Sequence, residues 1–295
     1  MSYVVTGATG QLGRRTVDQL LARVAPEEIA IVVRNPAKAE RLAQRGVQVR
    51  VGDYAEPASL SDAFAADDRV VFISTNVPGE RRIAQHRAVI EAACAQRVGL
   101  LAYTSVLHAP TASFSIGRDH WATEQLINAS GVPSVMLRNG WYNENYTGFL
   151  GPTLAAGRVL GAAGDGRIST AAIGDYAAAA ATLITTETPI EPVYELSGDD
   201  AWSLADFADL LSRRTGRTIT YDSLDPAEYK SIMIGAGVPE DSADALLEAD
   251  AAIAQGELSA TPGTLGQVIG RPTTAIEDAV DAELAQMPTS GSESH

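Results

Sequence analysis

Three glycines spaced three residues apart, in Thr6-Gly7-Ala8-Thr9-Gly10-Gln11-Leu12-Gly13, are the first residues of this chain with chemistry to offer. They follow an apolar run at 3–5 and open a stretch at 12–21 with helical apolar spacing. Glycine lets the backbone turn tightly and come close to a pyrophosphate, and the helix behind it presents free N–H donors and its positive dipole end. The segment reads as a dinucleotide-binding turn, with Gly7, Ala8, Thr9, Gly10, Gln11 and Leu12 at the phosphates. Its spacing departs from the commonest pattern, so its weight comes from the strand before it and the helix after it.

Where an Asp or Glu would grip a ribose 2′-hydroxyl, at the end of the second apolar run, stands Arg34, with Lys38 four residues on. A guanidinium suits a 2′-phosphate, so NADP(H) is the expected cofactor. A solvated loop arginine is the competing reading. Asp53 ends the third run, either to accept from an adenine amino group or to form a turn, and Tyr54 faces the cofactor or packs beside the adenine.

At the nicotinamide end, a Tyr with a Lys four residues on would let the cation lower the phenol pKa. This chain has no such pair: its two lysines, Lys38 and Lys230, have Arg34 and Pro226 at the fourth position before them. In Asp119-His120-Trp121-Ala122-Thr123-Glu124, His120 and Glu124 share a helical face, as a proton relay or as a structural pair. An acceptor that needs no strong general acid fits such a site, and a quinone is one. Hydride addition to it gives an aromatic hydroquinone anion, so the protein must position the ring and donate to a developing phenolate. In Arg138-Asn139-Gly140-Trp141-Tyr142-Asn143-Glu144-Asn145, Tyr142 and Asn143 are candidates to meet the quinone oxygens or the carboxamide, with Asn139 and Gly140 lining the nicotinamide. The alternative is that the aromatic rings pack an interface.

Strand-like runs at 3–5, 29–33, 47–51, 70–73, 100–104 and 134–137 alternate with helical stretches at 12–23, 36–45, 59–65, 80–97 and 118–130. That alternation builds a doubly wound parallel sheet, an α/β fold of Rossmann type. After residue 139 the rhythm changes. A glycine-rich segment at 151–166, an alanine-rich helix at 175–184, a short strand at 193–196 and helices at 204–215, 226–234, 242–255 and 275–287 follow. The expected organisation is an NADP-binding domain over 1–150, a smaller, mainly helical lobe over 151–288 that closes a substrate cleft with the chain interleaving between the two, and a flexible polar tail at 289–295.

At 295 residues, 45% hydrophobic and 20% charged, the composition is that of a soluble globular protein, with no run approaching the ~20 apolar residues of a membrane span. No apolar leader is visible at the N-terminus. A net charge of −15 works against nucleic-acid binding. The one cysteine, Cys94, fits a reducing cytoplasm and reads as a small buried thiol. The four histidines have no ligand-like spacing, so no metal is expected, and His86 reads as a helix-surface or interlobe residue.

The glycine turn, Val33-Arg34-Asn35-Pro36-Ala37-Lys38, Tyr103-Thr104-Ser105, the 137–145 segment and Gly161-Ala162-Ala163-Gly164-Asp165-Gly166 together resemble the bacterial type 2 quinone oxidoreductases. These are NADPH-dependent members of the NmrA-like branch of atypical short-chain dehydrogenases, and the similarity runs from residue 2 to about 286. The resemblance implies a flavin-free and metal-free NAD(P)H:quinone oxidoreductase, with residues 7–12 at the pyrophosphate and Arg34 at the 2′-phosphate. It implies that Thr75, Asn76 and Val77, after the fourth strand, and the segment from Arg138 to Asn143 follow the ribose and nicotinamide. Pro78 departs from this picture because it removes a backbone donor. The rival is a non-catalytic NADP(H)-binding redox sensor of the same branch, and a homodimer is the assembly left open.

Overall fold

Ile29–Val33 is a run of five apolar residues, each of them buried, as a strand covered on both faces requires. It lies inside a seven-stranded sheet. The computed structural model describes residues 1–187 and 191–287, and the polar tail expected at 289–295 lies outside the described residues.

In chain order the elements begin with β1 (Tyr3–Thr6), α1 (Gln11–Leu21), β2 (Ile29–Val33), α2 (Glu40–Ala43), β3 (Gln48–Val51), β4 (Arg69–Phe72), α3 (Glu80–Ala95), β5 (Leu100–Val106), α4 (Ser115–Ser130) and β6 (Ser134–Asn139). They continue with β7 (Trp141–Tyr142), α5 (Glu144–Thr147), α6 (Leu150–Ala156), β8 (Arg158–Gly161), β9 (Arg167–Ala171), α7 (Ile173–Thr185), β10 (Val193–Leu196) and β11 (Ala201–Ser203). The last are α8 (Leu204–Thr215), β12 (Thr220–Ser223), α9 (Pro226–Gly235), α10 (Glu240–Ala254), α11 (Thr264–Ile269) and α12 (Ile276–Gln286).

Two compact units divide these elements. The first comprises Met1–Gly140, Ile173–Ser197 and Pro262–Pro272, and the second Trp141–Ala172, Gly198–Thr261 and the chain from Thr273 on. The chain therefore passes five times from one unit to the other.

The first unit holds the sheet in the order β10-β6-β5-β4-β1-β2-β3, every pair parallel. Its core gathers Val4, Val32, Phe72, Leu101, Tyr103 and Ile127 among others. α7 packs against α1, and the buried run Ala177 to Ala181 allows a close approach. Two expected helices are shorter than the sequence implies. Residues 36–45 form a 3-10 turn, Pro36–Ala39, and the single α turn α2, whereas 59–65 holds only the end of a 3-10 turn, Pro57–Leu60. Segments this short lack the length to propagate a helix, and burial of Leu60, Ala63 and Phe64 fixes the second one instead.

Besides its helices the second unit carries two small sheets, β11-β9-β7 and β12-β8. Their strands are only two to five residues long, which hides them from any periodicity count. Trp202 stacks with Tyr146 and Phe207 in this unit's core and donates through Nε1 to Thr170 Oγ1 at 2.8 Å.

Candidate functional site

The glycine turn stands between β1 and α1. Gly7 has φ +59°, a left-handed conformation that costs glycine nothing, and its carbonyl accepts from Gly10 N at 2.9 Å. α1 starts at Gln11 without a side-chain cap and without an acidic residue in its first turn. Its first N–H groups are thus open to an anion, with no carboxylate competing. Leu12 and Ala8 are buried beneath the turn, while Thr9, Gly10 and Gln11 face outward.

Arg34 and Lys38 are both exposed just past β2, and neither side chain has a hydrogen-bond or ion-pair partner among the described residues. Two unpaired cations beside the glycine turn form a ready receptor for a phosphate. Asp53 forms a turn: its Oδ1 accepts from Ala55 N at 3.0 Å. The Tyr54 hydroxyl sits 2.5 Å from Thr6 Oγ1 and 2.9 Å from Ile73 O, tying together the ends of β1 and β4. Burial pushes its phenol well above the usual range.

His120 does not meet Glu124. Its Nδ1 lies 2.7 Å from the Tyr103 hydroxyl, and its Nε2 accepts from Arg82 Nη1 at 3.2 Å. Glu124 instead takes Arg138 in a fork, Nε to Oε1 at 2.9 Å and Nη2 to Oε2 at 2.6 Å, and accepts from Ser105 Oγ at 2.5 Å. Glu195 holds the third edge of the guanidinium at 2.8 Å. Both the proton relay and the His120–Glu124 pair are therefore corrected: the Arg138 guanidinium, reaching over from β6, takes the carboxylate that a neutral imidazole would have met. Burial first, then the charge of Arg82 and the nearness of His86, holds His120 well below its ordinary pKa.

His86 is fully buried rather than on the helix surface. Its Nε2 accepts from Thr75 N at 3.0 Å, which places the ring proton on Nδ1, 2.9 Å from Thr123 Oγ1. Burial and the nearby Arg82 charge lower its pKa to about 3. Arg82 donates from Nε to Val77 O at 2.9 Å, and Asp119 Oδ2 accepts from Gly79 N at 2.7 Å. The sequence put His86 on the helix surface or between lobes and gave no role to Arg82, Tyr103, Asp119 or Thr123. Arg82 and His86 on α3, and Asp119 and Thr123 on α4, stand at i, i+4 and are buried, while Tyr103 lies on β5.

Past β6, Asn139 is nearly buried and its Oδ1 has no protein partner. Gly140 N donates to Leu196 O at 2.6 Å, and a Cβ at Gly140 would lie 3.1 Å from the Tyr176 hydroxyl. The side chain of Arg138 is committed to Glu124 and Glu195, and its backbone lies between β5 and β10 in the sheet. Tyr142 and Asn143 belong to the second unit. Asn143 is completely buried, and its Nδ2 donates to Thr274 O at 2.8 Å and contacts Ala275 O at 3.4 Å. Its Oδ1 is buried without a partner. The amide donors that the sequence assigned to a quinone are thus engaged, and what Asn143 has left is an acceptor.

Cys94, expected as a buried thiol, is exposed, because α3 turns that position away from the sheet. Within the second unit a pocket of about 440 Å³ has Trp202 and Phe207 in its wall with Arg167, Arg213, Asp199 and Glu277, and it includes none of the expected site residues. Among the described residues no helix is long and apolar enough to cross a membrane, and no three His, Cys, Asp or Glu side chains gather as metal ligands.

Residues 2–289 match the model of the NmrA-like family. The chain is 41% identical over 276 residues to quinone oxidoreductase 2 of Escherichia coli strain K12, covering 94% of this chain and 96% of that one. The crystal structure of an Escherichia coli NADPH-dependent quinone oxidoreductase with NADPH superposes with a TM-score of 0.92 at 40% identity, covering 96% of this chain and 99% of that one. The triphenylmethane reductase of a Citrobacter species, complexed with NADP(H), superposes at 0.91 with 34% identity, over 96% of this chain and 100% of its own.

Proposed function

This chain belongs to the NmrA-like family, and we propose that it is an NADPH-dependent quinone oxidoreductase working in the cytoplasm without flavin or metal. The observation that carries the reading is the pairing of an uncapped glycine turn with the free cations Arg34 and Lys38 past β2. The first unit alone offers a pyrophosphate cradle, a 2′-phosphate receptor and, at Asn139, an unpartnered side-chain amide oxygen at the carboxyl end of a strand, where such ligands lie.

Bound NADPH supplies the hydride. The chain's own residues orient and exclude. The helix α1 receives the diphosphate, Arg34 selects the phosphorylated ribose, and the unpaired Asn139 Oδ1 can accept from a carboxamide N–H. Among the described residues neither His120 nor Tyr103 stands ready as a general acid: burial holds the His120 imidazole well below its ordinary pKa and drives the Tyr103 phenol far up. A substrate whose reduced form is a stabilised anion fits that lack, since a hydroquinone takes its proton from water after hydride arrives. For Asn143 we propose a role as acceptor and anchor of the 274–275 backbone, and for Tyr142 contact with the quinone ring.

The test is oxidation of NADPH by the purified protein with benzoquinones and naphthoquinones, no flavin added, and NADH in parallel. Quinone-dependent turnover is expected. Tight NADPH binding without turnover would replace this reading with that of a redox sensor. Arg34→Ala should raise the KM for NADPH roughly 10- to 150-fold, the loss of a charge-assisted contact of about 1.5 to 3 kcal/mol, with the KM for NADH nearly unchanged. Equal effects on both cofactors would remove Arg34 from the 2′-phosphate.

A further inference from the structure

The loop between β4 and α3 is held almost entirely by side chains. Ile73 N donates to Thr6 Oγ1, Ser74 N to Thr104 Oγ1, Thr75 N to His86 Nε2 and Gly79 N to Asp119 Oδ2, while Val77 O accepts from Arg82 Nε. Gly79 has φ +64° and ψ −146°, a conformation that an L side chain would resist. Among the described residues the N–H groups of Asn76 and Val77 have no acceptor, and the Asn76 side chain is exposed without a partner. The anchors leave over two neighbouring donors and an amide.

We propose that the buried cluster of Arg82, His86, Tyr103, Asp119, His120 and Thr123 is a positioning device that holds the loop of residues 74–79 ready for the nicotinamide half of the dinucleotide. The inference rests on the function proposed above. In the sheet order, β4 flanks β1 on the side opposite β2. With the diphosphate over α1 and the 2′-phosphate at Arg34 past β2, the loop after β4 falls to the other half of the cofactor.

None of the cluster's buried side-chain nitrogens or oxygens lacks a partner, as such a device requires. Arg82 donates to His120 Nε2, so the His120 proton is on Nδ1 and goes to the Tyr103 oxygen. Thr123 accepts from His86 Nδ1 and passes its own proton to Asp119 O at 2.9 Å. Asp119 Oδ2 lies 3.8 Å from Arg82 Nε and balances its charge. An apolar core at this place would leave the loop's N–H groups unmatched. A satisfied polar cluster admits one loop conformation only. These residues act through the loop and touch no reacting atom.

The measurement is a comparison of R82M and H86F with the wild-type protein in two ligand constants. For NADPH, the KM should rise about tenfold or more as one or two anchors of the loop go. For adenosine 2′,5′-bisphosphate, which occupies only the Arg34 side, the inhibition constant should stay within about twofold of the wild type. H86Q, whose amide oxygen can accept from Thr75 N, should recover part of the loss. An unchanged KM in both variants, or a parallel rise in both constants, overturns the proposal. Should the variants not fold, amide exchange in the wild-type protein decides it: residues 75 and 79 must be protected before NADPH is added, and protection acquired only with NADPH overturns the proposal. Failure of the underlying function looks different, because the wild-type protein would then show no quinone-dependent turnover from which to read a KM, whether or not it binds NADPH.

Discussion

Acidification from pH 7 to pH 4.5 should remove roughly 2.5 kcal/mol of folding stability through His86 alone. The unfolded chain binds a proton at this residue near the ordinary histidine pKa of about 6.5, whereas the folded protein holds out to about 3. Between those values the unfolded state carries more protons, so stability rises with pH and is lost as pH falls. The cause is structural. His86 is fully buried, its Nε2 is occupied by Thr75 N–H, and Arg82 stands close by. His120 contributes with the same sign. Carboxylates titrate in the same range, so the decisive quantity is a difference. In H86F the slope of unfolding free energy against pH between 6 and 4, from urea titrations, should fall by up to about 1.4 kcal/mol per pH unit. A slope equal to that of the wild type would show that His86 takes up its proton in the folded protein.

Gly13→Ala should lower NADPH affinity by at least about 100-fold, on the order of 3 kcal/mol, and with it quinone-dependent turnover at limiting cofactor. A Cβ at this position would lie 2.3 Å from Gly7 O and 2.7 Å from Ala8 Cα. Both are backbone atoms of the turn, with no rotamer to give way, so α1 must back off by about 1 Å to restore normal contact. That shift carries the uncapped helix end away from the phosphates. Gly174→Ala is the matched control, since its added Cβ meets nothing within 4 Å. Isothermal titration with NADPH reads the outcome. Binding by G13A within about threefold of the wild type would mean that the turn does not hold the diphosphate.

Most strands of the large sheet were legible as short apolar runs, such as Ile29–Val33 and Leu100–Val106. So was the cation past β2, whose meaning depends only on strand order. The small sheets of the second unit were not, because β7 and β11 are too short to show an alternation and gain their identity from pairing with β9. Helical spacing put His120 and Glu124 on one face and suggested that they meet. They do not, because spacing says nothing about what lies opposite that face.

By itself the sequence determined the alternating α/β order, the tight turn at Gly7 with its helix, and the charge character of Arg34 and Lys38, since each of these is set by neighbours within a few residues. Only the tertiary structure decided which groups are spent and which are free. Glu124 goes to Arg138, His86 to Thr75 and the Asn143 amide to Thr274, across separations of 14, 11 and 131 residues, while Arg34 and the amides of Asn76 and Val77 are left open. A buried polar group takes whichever partner the packing brings within about 3 Å, and that choice is made by how distant segments pack, not by local spacing.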